Sequence, residues 1–360
     1  MAQAVSLSRR QLLQLTGLGG TVLAAAALGG CRSASASGQL WSTRGALPQP
    51  WLKALPAAWQ SRAFETPQAL LDATAAPQPL PALLNLGDGW AGQLQRGRLL
   101  PFEAPALLAQ LDRIAAAPSR LFGPAEAPAL AFPWAFGTWV VLLRNRADLL
   151  RRRNEDWNLL LDPSLRRRLV LPASPRLLIE LALRQLGLPS ADPAALASER
   201  LPAQLRALHG QALSLDEQGG LNLLLSGEAD AAVVTSQRAI PLLQRDPRLS
   251  AFLPASGSPL WWQLLLRLAP DPAAAVPPPP LEWLRDGLQP PLVDRLLAAG
   301  WVPPLPAAAL EPLLARWPQR LRPLLLPPAA VLARCNSLPP FSAAERGRWQ
   351  QLWDQALATG

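Results

Sequence analysis

The sequence predicts an α/β fold, and three observations carry that prediction. Short apolar runs of strand character alternate with helical segments, the signature of α/β layers with largely parallel sheets. The 360 residues suffice for two domains of ordinary size, each with its own core. No internal repeat divides the chain, and after the N-terminal stretch no run is apolar for the roughly 18 residues that a membrane span needs.

That N-terminal stretch, residues 1–30, reads as an export signal. Ser8-Arg9-Arg10-Gln11-Leu12-Leu13 precedes an apolar run to Leu28, which stops at Gly29-Gly30-Cys31. A positive start, a short apolar segment and small residues before a cut site are the parts of such a signal. The paired arginines stay on the cytoplasmic side because positive charge resists translocation. Ser8-Arg9-Arg10 resembles a twin-arginine signal. Leu28-Gly29-Gly30-Cys31 resembles a bacterial lipobox, which implies that Cys31 is lipidated and becomes the mature N-terminus. The other reading is an uncleaved membrane anchor. With lipidation, the protein is expected in the periplasm, held to the membrane by Cys31. Residues 31–38, small and polar, form a flexible tether.

The remaining elements follow in order. Gln39–Ser42 is a short strand. Trp51, Leu55 and Trp59, spaced four apart, predict a helix over 51–59. A helix begins at Pro67, where proline suits the first turn. Pro81–Leu86 is a buried strand entering the turn Gly87-Asp88-Gly89-Trp90, with a helix near 92–95. Helical fragments over 103–130 are broken by Pro118, Pro124 and Pro128. Phe132–Trp139 is too aromatic and interrupted for a regular element, whereas Val140–Asn145 is a strand. Residues 156–160 are helical and 168–172 a strand. Arg176–Gly187 is a helix ended by Gly187 and Pro189. Strands at 211–215 and 227–235 flank a helix at 221–225. A strand at 259–267 precedes the stiff spacer Pro277–Pro280. Helices at 281–287, 291–299 and 342–357 complete the chain, the last opened by the capping box Ser342/Glu345.

The formal net charge is +9, which invites a nucleic-acid reading. Export opposes it, and so does composition. Lys53 is the only lysine and there is no tyrosine, which marks a bias across the whole sequence more than a selected basic face. No nucleic-acid partner is expected; a weak attraction to anionic head groups near the anchor is compatible with the charge. The arginine runs 151–153 and 166–168 read as solvated faces, or as surfaces touching a membrane or permease. With Cys31 lipidated, Cys335 has no thiol partner, and a large core tolerates that. A single histidine, His209, excludes a His-rich metal site. Cys335 with one distant histidine is a poor nucleophile pair, and neither a phosphate loop nor a nucleophile elbow occurs. No enzyme activity, metal or cofactor is therefore expected.

Leu83-Leu84-Asn85-Leu86-Gly87-Asp88 with Gly97-Arg98-Leu99-Leu100-Pro101 resembles the strand, ligand-contacting turn and short helix before the "gly-x-leu-x-pro" element of bacterial spermidine/putrescine-binding proteins. Phe132-Pro133-Trp134-Ala135-Phe136-Gly137-Thr138 is similar to that family's crossing segment "pro-tyr-x-x-gly-thr". Asp156–Leu160, Arg168–Leu171, Leu181–Gly187 and Gly227–Asp230 resemble its subsequent helix, strand, helix and turn. The ordered series, covering most of residues 39–300, carries the resemblance; no single motif does. It implies the two-lobe periplasmic-binding-protein type II fold, with a ligand cleft between discontinuous lobes. Residues 39–133 and 258–300 are expected in lobe 1, and 134–257 and 301–360 in lobe 2, meeting near Trp134 and Trp261. It also implies a monomeric solute-binding subunit of an ABC importer, with the permease subunits as partners and a small cation such as putrescine or spermidine as solute.

Polyamine sites set aromatic faces against the methylene chain and carboxylates against the ammonium ends. The matching positions are Trp41, Asp88, Trp90, Trp134, Glu217 and Trp261. Against this stands plain packing, since the chain has fourteen tryptophans and most must serve the cores. The carboxylates likewise read as turn or cap residues. Gln263 departs from the family's aspartate two residues after the aromatic, and a neutral amide holds an ammonium only by hydrogen bonds. Thr235-Ser236-Gln237 lacks the family's tryptophan. These departures leave a different small solute open. They also leave open an exported interaction protein that kept the fold without transport.

Overall fold

The aromatic segment Phe132–Thr138 and the aliphatic run after it form one continuous strand, and the molecule is built around it. The computed structural model describes residues 38–76, 79–189, 193–216, 219–269 and 276–358. The export signal, Cys31, most of the tether and Glu217 lie outside the described residues. The strands are β1 (Gly38–Thr43), β2 (Trp59–Phe64), β3 (Leu83–Gly87), β4 (Leu99–Leu100), β5 (Ala131–Arg144), β6 (Leu169–Leu171), β7 (Ala212–Leu215), β8 (Ala231–Thr235), β9 (Leu249–Phe252), β10 (Pro259–Leu268) and β11 (Asn336–Ser337). The helices that position the site are α1 (Pro67–Ala75), α2 (Asp88–Ala91), α3 (Pro175–Gln185), α4 (Arg200–Gln211), α5 (Ser236–Arg245) and α6 (Ala343–Ala358).

The strand order is β2-β1-β3-β10-β5-β8-β6-β7, with β4 and β11 on β10 and β9 on β5. The flanks are parallel, as expected: β1 with β2 and β3, and β6 with β7 and β8. The centre is not, because β10 runs antiparallel to β3 and β5, and β5 antiparallel to β8 and β9. Ala131–Thr138 of β5 pairs with β10, and Trp139–Arg144 pairs with β8 and β9. One strand thus belongs to two sheets and changes partners at Thr138/Trp139.

At that change two backbone N–H groups are satisfied by side chains and not by a neighbouring strand. The Thr138 N–H donates to Ser236 Oγ at 3.3 Å and the Trp139 N–H to Ser258 Oγ at 2.8 Å. Both serines come from the elements that bracket the crossing, the start of α5 and the residue before β10.

Several local expectations fail for identifiable reasons. The helix over 51–59 is only Gln49–Leu52. Pro56 interrupts the run, and Trp59 opens β2, where parallel pairing with β1 outweighs the helical spacing. The helix near 92–95 sits earlier, at Asp88–Ala91. Residues 153–161 form a 3-10 segment with Asp156 at φ 62°. Phe132–Trp139 is a strand because antiparallel β10 supplies a full partner. Its proline is accommodated by a bulge: Gln263 faces Ala135 and Leu264 faces Pro133, leaving Trp134 as the extra residue.

The first sheet encloses a core of Leu40, Trp51, Leu83, Phe132, Trp134, Leu265 and Trp283. The second packs Val141, Leu143, Trp157, Leu169 and Leu171 against Ile179 of α3, Leu205 of α4 and Trp353 of α6. Burying each such side chain stabilises by about 1.5–3 kcal/mol. Trp301 and Val302, expected in the second lobe, belong with the first sheet instead. Trp301 packs 5.0 Å from Trp134, and Val302 bridges to Phe136. No helix among the described residues is long and apolar enough to cross a membrane.

Candidate functional site

The candidate site lies where β3 ends, α2 begins and β10 runs past both. Leu83–Leu86 is a buried apolar strand, and Gly87-Asp88 turns it directly into a one-turn helix. Asp88 is the first residue of that helix, so the helix N-terminus favours its ionised form. The Trp262 N–H donates to Asp88 Oδ1 at 3.4 Å. Desolvation nonetheless dominates and pushes the Asp88 carboxyl up to about 7, against hydrogen bonds from the Trp262 and Gly89 backbone and the field of Arg176. The half-buried Asp88 is thus poised between its neutral and charged forms near neutral pH.

Gln263 stands opposite Gly87 across the antiparallel β3–β10 pair. Its Oε1 accepts from Asn85 Nδ2 at 3.3 Å, and Asn85 Oδ1 accepts from Trp134 Nε1 at 2.7 Å. Asn85 is wholly buried in the middle of β3. This chain of three side chains satisfies it, and it also holds the Gln263 amide in place.

The remaining predicted residues divide. Trp90 is half-buried on α2, and Trp261 half-buried on β10. Trp261 Nε1 donates to the Thr138 carbonyl at 3.3 Å, and its ring meets Trp301 edge-on at 5.7 Å. A side chain at Gly137 would come within 2.5 Å of the Trp261 ring and Ser236 Oγ. Asp88, Trp90, Trp261 and Gln263 therefore share one neighbourhood. Trp41 and Trp134 are 1% exposed. Trp41 packs on Phe64 at 5.1 Å with Arg62 over its ring. Trp134 is covered by Trp51 and Trp301, each at 5.0 Å. Both indoles serve the protein's own packing, so neither presents a free face.

Across from α2 stands Arg176, in the first turn of α3 after the N-cap Ser174, whose side chain accepts from the Leu177 N–H. Burial lowers the Arg176 pKa, opposed by the fields of Glu180, Asp88 and Glu345. Sequence reading passed over Arg176 and Asn85. The signal for Asn85 was a lone amide in an apolar run, which demands buried partners. Arg176 had none beyond its place after Ser174-Pro175. Among the described residues no group of three His, Cys, Asp or Glu could hold a metal ion.

Two sheets that share a long central strand form the architecture of the type II periplasmic solute-binding proteins, and the chain has that fold. Among solved structures, one similar to it is the spermidine/putrescine ABC transporter substrate-binding protein PotD from Streptococcus pneumoniae. The two are 15% identical, with a TM-score of 0.71 over 89% of this chain and 98% of that one. A putative spermidine/putrescine ABC transporter protein from Listeria monocytogenes is 17% identical, with a TM-score of 0.66 over 91% and 100% of the two chains. A putative oligosaccharide periplasmic-binding protein from Synechococcus, in complex with zinc, is 18% identical, with a TM-score of 0.63 over 90% and 94%. No protein-family model matches the chain, and no curated protein matches it by sequence.

Proposed function

We propose that this protein is the extracytoplasmic solute-binding subunit of an ABC importer, anchored to the membrane by lipidated Cys31 and delivering a small cation, such as a polyamine, to its permease. It is a binding protein and not an enzyme. The observation that carries this reading is the two-sheet fold, which superposes on spermidine/putrescine-binding proteins over nine-tenths of the chain. In this reading the two sheets are the cores of two lobes that meet at Thr138/Trp139, and the solute lies where Asp88, Trp90, Trp261 and Gln263 gather.

Asp88 supplies the charge for one ammonium. Gln263, held by Asn85, offers only its amide to the other end, which favours a shorter or less charged solute than spermidine. The half-buried indoles of Trp90 and Trp261 receive the methylene chain. Cation–π contact with a desolvated ammonium contributes about 0.5–2 kcal/mol. Glu217 stays a candidate for the second carboxylate.

Calorimetry with putrescine and spermidine on wild type, Trp261→Ala and Asp88→Asn tests the solute. Putrescine is expected to bind wild type, with Asp88→Asn weakening it by about 2–5 kcal/mol, the range for truncating a buried charge pair. No heat from either amine, or equal affinity in all three proteins, removes the polyamine claim. Mass spectrometry of the cellular protein tests the anchor: an intact Met1 or an unmodified Cys31 refutes it. Unchanged export of an Arg9→Lys, Arg10→Lys double variant moves the route to general secretion and leaves the anchor standing. A second reading, an exported interaction protein without transport, draws support from Trp41 and Trp134, whose rings are spent on packing.

A further inference from the structure

The segment Ser337–Phe341, running from β11 to the start of α6, touches the surroundings of Asp88 at several points. Ser337 Oγ accepts from Trp262 Nε1 at 2.9 Å, and it is the Trp262 N–H that donates to Asp88 Oδ1. Pro340 fills the space left by the missing side chain of Gly92, where an added Cβ would overlap it. Gly92 closes the helix that Asp88 opens, with its N–H bonded to the Asp88 carbonyl at 3.2 Å. The Phe341 ring centre lies 3.7 Å from the Arg176 guanidinium, whose field reaches Asp88. Trp262 lies on β10 and Gly92 follows β3, in the first sheet, whereas Arg176 opens α3, which packs on the second. The segment therefore spans from one sheet to the other beside Asp88.

Its ends are fixed and its middle is not. At one end Asn336 and Ser337 pair with Pro259 and Leu260, and Arg184 donates to the Asn336 side chain. At the other, Ser342 and Glu345 cap α6. Between these anchors, among the described residues, no backbone hydrogen bond holds Leu338–Phe341. Pro339 and Pro340 have no N–H to leave unpaired on moving. A stretch held by so few backbone bonds belongs to the low end of local stability. It also has room to move. A cavity of about 780 Å³ is lined by this segment and by Glu180 of α3 and Trp349 and Leu352 of α6, and neither Gly92 nor Trp262 lines it. The segment thus has Gly92 and Trp262 on one side and open space on another.

We propose that Leu338–Phe341 is a gate over Asp88. It shuts that position when Pro340 rests on Gly92 and Phe341 on Arg176, and it opens by swinging into the cavity. The proposal rests on the solute position given above, since a cation reaches Asp88 only while the gate is open.

The test measures access to the position without relying on any solute. In a Cys31→Ser, Cys335→Ser background, Asp88→Cys is labelled with 2-aminoethyl methanethiosulfonate, a thiol reagent that carries an ammonium. Phe341→Ala and Pro340→Gly are each expected to speed this labelling at least tenfold. Phe341→Tyr, which keeps an aromatic face on Arg176, is expected to keep the original rate. Val141→Cys, placed at a wholly buried position of the second core, reports general unfolding and is expected to stay slow in Phe341→Ala. An unchanged rate at Asp88→Cys in Phe341→Ala or Pro340→Gly overturns the gate. So does equal acceleration at Val141→Cys, or a Phe341→Tyr rate as fast as that of Phe341→Ala. Stopped-flow tryptophan fluorescence then follows putrescine, whose association rate is expected to rise at least tenfold in Phe341→Ala; an unchanged association rate also overturns the gate. If wild type binds no putrescine, the solute reading falls and the labelling rates still decide the gate.

Discussion

Asp88 heads a helix, yet burial pushes its carboxyl up to about 7, outweighing the helix end and its backbone donors. The sign of the consequence follows from the neutral form being favoured in the folded state. The stability from this group is fully present below about pH 4 and is lost as pH rises through 7. Asp88→Asn keeps the acceptor and removes the charge. The variant is therefore expected to match wild type near pH 4 and to exceed it increasingly towards pH 8, by at most about 1.4 kcal/mol per pH unit. Urea denaturation across that range measures it, and a constant difference between the two proteins contradicts the buried-carboxyl account. A cation at Asp88 needs the ionised form, so its affinity is expected to rise through the same interval. The local sequence Gly87-Asp88-Gly89-Trp90 marked this residue as a candidate. Its environment depends on Trp262 and Arg176, which are distant in the chain.

At the scale of elements, the C-terminal helix begins as the sequence predicts. The Ser342 N–H donates to Glu345 Oε2 at 2.8 Å, and the Glu345 N–H to Ser342 Oγ at 3.2 Å. Ser342→Ala is expected to cost about 0.5–2 kcal/mol, read by chemical denaturation. The spacing places Trp51 on an amphipathic helix, yet its partner is Trp283. The rings stack at 4.2 Å and 12°, and each indole N–H donates to the other's carbonyl, at 2.9 and 2.8 Å. Replacing Trp283 by Ala removes a buried ring and leaves the Trp51 donor facing a disturbed backbone. The expected loss is about 3–5 kcal/mol, and a loss below 1 kcal/mol in the same assay contradicts it. The capping box is local and legible. The indole pair joins residues 232 positions apart, and no window of sequence contains it.

At the scale of the molecule, the segment from Asn336 to Phe341 ties the two sheets. Asn336 and Ser337 pair in parallel with Pro259 and Leu260. Trp262 Nε1 donates to Ser337 Oγ at 2.9 Å, and Arg184 of α3 donates to the Asn336 side chain and to the Arg334 carbonyl. Pro340 lies against Gly92, where an added Cβ would overlap it. Gly92→Val is therefore expected to lift this segment. Cys335 reports on it, because its half-buried sulfur accepts from the Ser258 N–H at 3.4 Å and burial pushes its thiol up. In a Cys31→Ser background, Gly92→Val is expected to speed the reaction of Cys335 with a disulfide reagent at least tenfold. An unchanged rate means that the segment does not depend on this contact.

The sequence by itself determined the alternation of strands and helices, the buried runs Leu83–Leu86, Val140–Leu143 and Ala231–Val234, and the cap of the last helix. Each depends on neighbours within a few residues, through side-chain period, apolar content and turn chemistry. The ordered resemblance extended this to the two-lobe fold. Tertiary structure alone decided that Phe132–Thr138 is a strand, since β10 supplies its partner and a bulge at Trp134 absorbs its proline. It alone decided which tryptophans are core, because an indole in a strand reads the same whether Phe64, Trp51 or nothing lies against it. The antiparallel centre, the Asn85–Gln263 bond and the charge state of Asp88 belong to the same class. They are set by contacts between residues far apart in the chain, where hydrogen-bond pairing and desolvation override local preference.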